Sequence, residues 1–135
     1  MGKITHDQAW ELIQKAYKKT KENVVNKGMV PQKTGVISAV FIKDIDLTYT
    51  EEMGFGRYEL YKGKSEKTEI FLTMDFKTYH LLQSGQVKPM KCLLTKKMKV
   101  EGIPLKFMRA GKITDEFRSV YKEVSDASDI QIEAD

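Results

Sequence analysis

The spacing of apolar residues divides the chain into recognisable pieces. Ala9, Leu12, Ile13, Ala16 and Thr20 recur at helical intervals, with Trp10 and Tyr17 beside them. Thr5 and Gln8 form a capping box, so a helix should start at Thr5 and fade near residues 26–28. Residues 36–42 are β-branched and apolar on both faces, the signature of a buried strand. Residues 44–52 are acidic and polar and read as a loop or extended arm. Residues 57–61 read as a strand after the bend at 54–56, and residues 68–74 as the next strand, antiparallel to it because the link is short.

From there the pattern changes twice. Ile70, Leu72 and Met74 alternate on one strand face, and Asp75 then occupies a helix N-cap position before Tyr79 and Leu82. Gly85 should close that short helix, and Pro89 opens another carrying Met90, Leu93 and Leu94. Met98 and Val100 point in from a further strand while Lys97, Lys99 and Glu101 point out. After Gly102, Pro104 starts a helical turn with Leu105, Phe107 and Met108. Gly111 breaks it, and Thr114 should cap a final helix to about residue 124. The pattern predicts one α+β domain over residues 1–125 and an acidic C-terminal tail over 126–135.

The ordered set in residues 67–112 resembles the sterol carrier protein family, of the type-two, nonspecific lipid-transfer kind. The residues that carry the likeness run from Ile70-Phe71-Leu72-Thr73-Met74 through Tyr79, Leu82 and Ser84-Gly85. They continue through Lys88-Pro89-Met90 and Leu93-Leu94 to Lys97-Met98-Lys99-Val100-Glu101-Gly102. The chain departs at Lys96, where the family usually has Gly, and at Cys92, where a small residue is common. The resemblance implies a single mixed or antiparallel sheet of about four to five strands, with helices on one face enclosing an apolar tunnel. It implies noncatalytic binding and carriage of a fatty acid, fatty acyl-CoA, sterol or other lipid. It also implies that Met74, Tyr79, Leu82, Met90, Leu94, Met98, Val100, Leu105 and Met108 line the tunnel.

Composition sharpens this. The 135 residues carry seven methionines, which on the residues alone serve as adaptable core filler and under the resemblance suit a cavity for varied ligands. The net charge of +4 is unevenly spread, and residues 76–112 hold nine basic side chains against the single acid Glu101. Lys88, Lys91, Lys97, Lys99 and Lys106 are therefore candidates for contact with a lipid headgroup or an anionic membrane surface. A solvated lysine-rich surface explains the same charge.

Other chemistry is disfavoured. Cys92 is the lone cysteine, so no internal disulfide forms, which fits a reducing compartment, and the resemblance favours a free-standing cytoplasmic form. His6, His80 and Cys92 lack the spacing of a zinc set, and Asp44, Asp46, Glu51 and Glu52 lack that of a calcium loop. No nucleophile elbow, phosphate loop or metalloprotease motif is present, so neither catalysis, a metal nor a cofactor is expected. Two rivals stay open: an accessory domain that presents an acyl substrate to a partner enzyme, and a basic nucleic-acid surface. The second is weak, because no aromatic residue lies among the lysines from Lys88 to Lys106. No signal-peptide run, membrane span or peroxisomal address is seen, and a homodimer is one candidate assembly.

Overall fold

A computed structural model describes residues 4–128. Four helices cover one face of an open five-stranded mixed sheet of order β3-β2-β1-β4-β5. Helix α1 spans His6–Asn26, and its capping box is complete: Thr5 accepts from the Gln8 backbone at 3.1 Å while the Gln8 side chain accepts from the Thr5 backbone at 3.0 Å. Its buried stripe is Ala9, Leu12, Ile13, Ala16, Thr20 and Val24, close to the apolar period of the sequence. The Tyr17 hydroxyl ties α1 to the sheet by donating to the Tyr58 carbonyl at 3.0 Å.

Strand β1 (Gly35–Ile42) lies at the centre of the sheet, and β2 (Leu47–Gly54) pairs antiparallel with it. Residues 44–52 are therefore not a loop: a single 3-10 turn, Lys43–Ile45, precedes a full strand. Leu47, Tyr49, Glu51 and Met53 alternate toward the helices, and only Glu51 interrupts the apolar sequence of that face. Strand β3 (Arg57–Lys62) continues the meander at the sheet edge.

The pairing of residues 70–74 also differs from expectation. Strand β4 (Ile70–Met74) runs parallel to β1 and does not touch β3. The link that precedes it crosses the sheet face opposite the helices. There the Thr50 hydroxyl donates to the Gly63 carbonyl at 2.7 Å and accepts from the Ser65 amide at 3.0 Å. Lys64 lies over the Phe71 ring, 4.5 Å from its centroid. The Glu69 amide then donates to the Ile37 carbonyl at 2.8 Å and sets the chain beside β1. A short link thus spans two strands by lying flat on the sheet, and shortness alone does not dictate a hairpin.

Helices α2 (Phe76–Gln83) and α3 (Pro89–Leu94) follow, then β5 (Met98–Glu101) antiparallel to β4. Asp75 caps α2 by accepting from the Thr78 amide at 2.8 Å. Both short helices close in the same way. The Gln86 amide reaches the Leu81 carbonyl past Gly85, and the Lys97 amide reaches the Cys92 carbonyl past Lys96, each at 2.9 Å. Gly85 and Lys96 accordingly have positive φ, 77° and 59°. The turn is kept at Lys96 although its side chain is disfavoured there.

Pro104–Ala110 is a 3-10 helix, and α4 spans Ile113–Asp126. Thr114 is not its cap: the helix begins one residue earlier, with Lys112 at the capping position and no side-chain cap bond. Ile113, Phe117, Val120 and Tyr121 form its buried stripe. Of the tail expected over 126–135, Asp126 still belongs to α4, and residues 129–135 lie outside the described residues.

A left-handed residue with a side chain costs roughly 1–2 kcal/mol, part of which glycine returns through its freer unfolded state. Lys96→Gly should therefore stabilise the domain by about 0.5–1 kcal/mol. Urea midpoints of the two proteins check this; an unchanged or lower midpoint contradicts the strain argument.

Candidate functional site

The helix-facing side of the sheet is not fully filled. A cavity of about 270 Å³ lies between the strands and the helices. Its floor is built from inward positions of four strands: Ser38 and Val40 of β1, Tyr49 and Glu51 of β2, Leu72 of β4, and Met98 and Val100 of β5. Register explains the set, because Tyr49, Val40, Leu72 and Val100 stand in one row across the sheet, and Glu51 is directly opposite Ser38. Leu82 and Gln83 of α2 and Pro89 and Leu93 of α3 form one wall. Pro104 and Phe107 of the 3-10 helix and Thr114, Phe117 and Arg118 of α4 form the other.

Most of this lining is apolar, which makes Glu51 conspicuous. Burial pushes its carboxyl up to about 7 from the ordinary 4.5, although a hydrogen bond from the Tyr58 hydroxyl pulls the other way. That bond reaches Oε2 at 3.1 Å. Oε1 receives no hydrogen bond among the described residues. No fully enclosed polar atom there is left without a partner, so Oε1 is not fully enclosed, and Glu51 lines the cavity. The same holds for Ser38: its residue is 2% exposed, it lines the cavity, and its hydroxyl makes no hydrogen bond within the described residues.

Around this pair stand buried tyrosines. The Tyr49 and Tyr79 hydroxyls share a hydrogen bond of 2.7 Å, and the Tyr79 ring meets Tyr121 edge-on at 5.7 Å. Burial holds the phenols of Tyr49, Tyr58 and Tyr79 well above their usual range, and the Glu51 carboxylate adds to the effect on Tyr49 and Tyr58. They act as neutral hydrogen-bonding groups. His80 Nδ1 pairs with the Tyr121 hydroxyl at 3.1 Å, and burial lowers the imidazole pKa. Cys92 is buried, and burial raises its thiol pKa, which disfavours a thiolate. Among the described residues no group of three His, Cys, Asp or Glu side chains is placed to hold a metal ion.

The expected lining residues separate into three groups. Leu82, Met98 and Val100 face the cavity. Met74 and Tyr79 are buried in the adjoining core at 1% and 0% exposure. Met90, Leu94, Leu105 and Met108 point outward and do not line the cavity, with exposures of 63%, 77%, 72% and 76%. The reason is helical phase: α3 has six residues, and the one it buries is Cys92, so Leu93 turns to the cavity and Leu94 to the surface. Likewise Phe107 is the inward residue of its 3-10 helix, which exposes Leu105 and Met108.

The basic residues are not gathered at one place. Lys88 caps α3 and Lys91 lies within it, whereas Lys99 alternates out of β5 onto the sheet's opposite face. Lys97 just precedes β5. Lys106 is held by Glu69 at 3.3 Å. Arg118, which sequence reasoning passed over, lines the cavity and has no ion pair among the described residues.

No family model matches the chain, and no curated protein matches it. Solved structures do. The chain aligns with sterol carrier protein 2 at a TM-score of 0.58 and 13% identity, over 84% of this chain and 95% of that one. It aligns with sterol carrier protein-2 like-3 from Aedes aegypti at a TM-score of 0.56 and 12% identity, over 83% and 98%. The stereoselective inverting sec-alkylsulfatase from Pseudomonas sp. matches at a TM-score of 0.51 and 11% identity, over 64% of this chain; the match spans only 13% of the sulfatase's length. The architecture is thus the sterol carrier protein fold, as the resemblance in residues 67–112 implied.

The Glu51 carboxyl allows a sign-specific test. Its proton is held more tightly in the folded protein than in the unfolded chain, so this group's contribution to stability falls as pH rises from about 4.5 to about 7. Glu51→Gln removes that dependence. Its stability relative to the parent should rise between pH 5 and pH 8 by roughly 1–2 kcal/mol, allowing for screening by cavity water. Urea titrations at both pH values measure the difference; a constant difference places the carboxyl in contact with bulk solvent.

Proposed function

We propose that this domain binds and carries a single-chain amphiphilic lipid without altering it chemically. One observation carries the reading: a largely apolar cavity of about 270 Å³ between the inner sheet face and the helices. At roughly 30 Å³ for each small group, it holds on the order of nine methylenes. Burying them gains about 7 kcal/mol at ~0.8 kcal/mol each, and ordering of the chain offsets part of that. The result is weak, reversible binding that suits a carrier. Longer chains and fused-ring lipids require α3 and the 3-10 helix to move apart.

Arg118 supports an anionic head at the rim, because it is a half-buried cation on the cavity wall with no ion-pair partner among the described residues. The outer surface supports transient docking on an anionic bilayer. Cavity residues Pro89, Leu93, Pro104 and Phe107 alternate along the chain with the exposed Met90, Leu94, Leu105 and Met108, and Lys88 and Lys91 sit on the same helix end. Each basic side chain near such a surface contributes about 1 kcal/mol.

Two measurements test this. Val100→Trp, which places an indole in the cavity, should weaken uptake of a fluorescent medium-chain fatty acid at least tenfold, whereas Leu94→Trp should leave it unchanged. Equal uptake by a folded Val100→Trp protein locates the chain elsewhere. Co-sedimentation with phosphatidylserine vesicles should exceed that with neutral vesicles and decline with salt, as the Debye length shortens from about 10 Å at 0.1 M to about 3 Å at 1 M. Replacing Lys88 and Lys91 by Glu should reduce it further; identical binding to both vesicle types removes the membrane from the reading.

A further inference from the structure

We infer that Ser38 and Glu51 form a polar subsite on the cavity floor that selects a chain carrying a hydroxyl group over the same chain without one. The inference rests on the carrier reading and names the ligand class more closely. The two side chains are directly opposed on β1 and β2, and both point to the helix-covered face. Opposed side chains in an antiparallel pair have Cβ atoms about 4.5–5.5 Å apart, close enough for one small polar group to touch both. Ser38 Oγ and Glu51 Oε1 each lack a hydrogen-bond partner among the described residues, neither is fully enclosed, and both residues line the cavity. They do not bond each other in this structure.

A polar atom turned into an apolar cavity is costly unless something satisfies it. Water can do so when the cavity is empty, but an alkyl chain that displaces water cannot. A hydroxyl on the chain can accept from Ser38 Oγ–H and donate to Glu51 Oε1. It is matched in both protonation states of Glu51, because a hydroxyl both donates and accepts. A carboxylate head is poorly suited to this floor, since beside it Glu51 would be a like charge with no neighbouring cation. The head therefore belongs at the Arg118 rim and the hydroxyl along the buried chain. Tyr58 keeps Glu51 in place by occupying Oε2, leaving Oε1 for the ligand.

The test is competition. Decanoate and a panel of monohydroxydecanoates, differing in hydroxyl position, displace a fluorescent medium-chain fatty acid from the purified protein. At least one hydroxy acid should compete about tenfold better than decanoate. Ser38→Ala and Glu51→Leu should each erase that preference, read within each variant as the ratio of hydroxydecanoate to decanoate competition. Far-UV circular dichroism and a urea midpoint confirm that each variant is folded, and Ser38→Ala, the smaller change, serves if Glu51→Leu does not fold. If decanoate competes and every hydroxy acid merely equals it, the subsite is overturned while the carrier reading stands. The same conclusion follows if the preference survives both substitutions. If no chain of either kind competes, and the probe itself does not bind, the carrier reading fails and this inference falls with it.

Discussion

The parallel pairing of β1 with β4 is the constraint from which the remaining structure follows. It places β1 between an antiparallel meander on one side and the β4–β5 pair on the other. Ser38, Val40 and Ile42 then have register partners on both sides and become the middle of a continuous floor. The pairing depends on a link laid across the opposite face, where Thr50 bonds both Gly63 and Ser65. That link explains why Thr50 and Ala39, which are register partners, are fully buried on a face that no helix covers. It also delivers the chain from β4 directly into α2, so the segment after the sheet must build the walls of the cavity.

Within that floor, Glu51 is a stability cost set where packing would favour an aliphatic residue. Its neighbours in the β2 register are Ser38 and Leu60, and Tyr49 and Met53 flank it along the strand. Burial disfavours its charged form, and one tyrosine hydroxyl offsets only part of the penalty. A carboxyl kept in a cavity wall at such a cost marks a candidate site, which is the basis of the subsite proposed above. The surrounding tyrosines fit that role. Held neutral, with Tyr49 bonded to Tyr79 and Tyr58 to Glu51, they bring hydrogen-bonding groups to the region and introduce no competing charge.

The sequence made legible those elements whose local signals agree with their tertiary setting. The capping box of α1, the Asp75 cap, the turn at Gly85, and the inward Met98 and Val100 rest on short-range geometry, whereas the left-handed turn at Lys96 ran against its local signal. Strand β2 escaped because Glu51 broke the pattern that identifies a strand. Leu47, Tyr49 and Met53 alternate as an inward face should, but Glu51 stands among them, and with Asp44, Asp46 and Glu52 nearby it reads as part of an acidic loop. The carboxyl that lines the cavity and the misread strand thus have one cause. Partner choice in the sheet was hidden for another reason: the Thr50 bonds that hold the crossing link join residues that no local pattern relates.

The outward turn of Leu94, Leu105 and Met108 follows from how little the lid segments bury. Helix α3 buries Cys92 and the 3-10 helix buries Ala110, whereas α1 and α4 each bury a full stripe. With two turns or fewer, apolar spacing does not set helical phase, and packing of one small residue decides which way the leucines face. The same economy anchors each of these segments by one fully buried residue, and segments with few buried contacts are where local opening is expected at the least cost. The floor, by contrast, is locked by pairing along five strands. A floor paired along five strands, beneath a lightly anchored wall whose outer surface is apolar and basic, is the arrangement that the proposed carriage of a lipid chain requires: the wall can yield while the Ser38–Glu51 pair keeps its place.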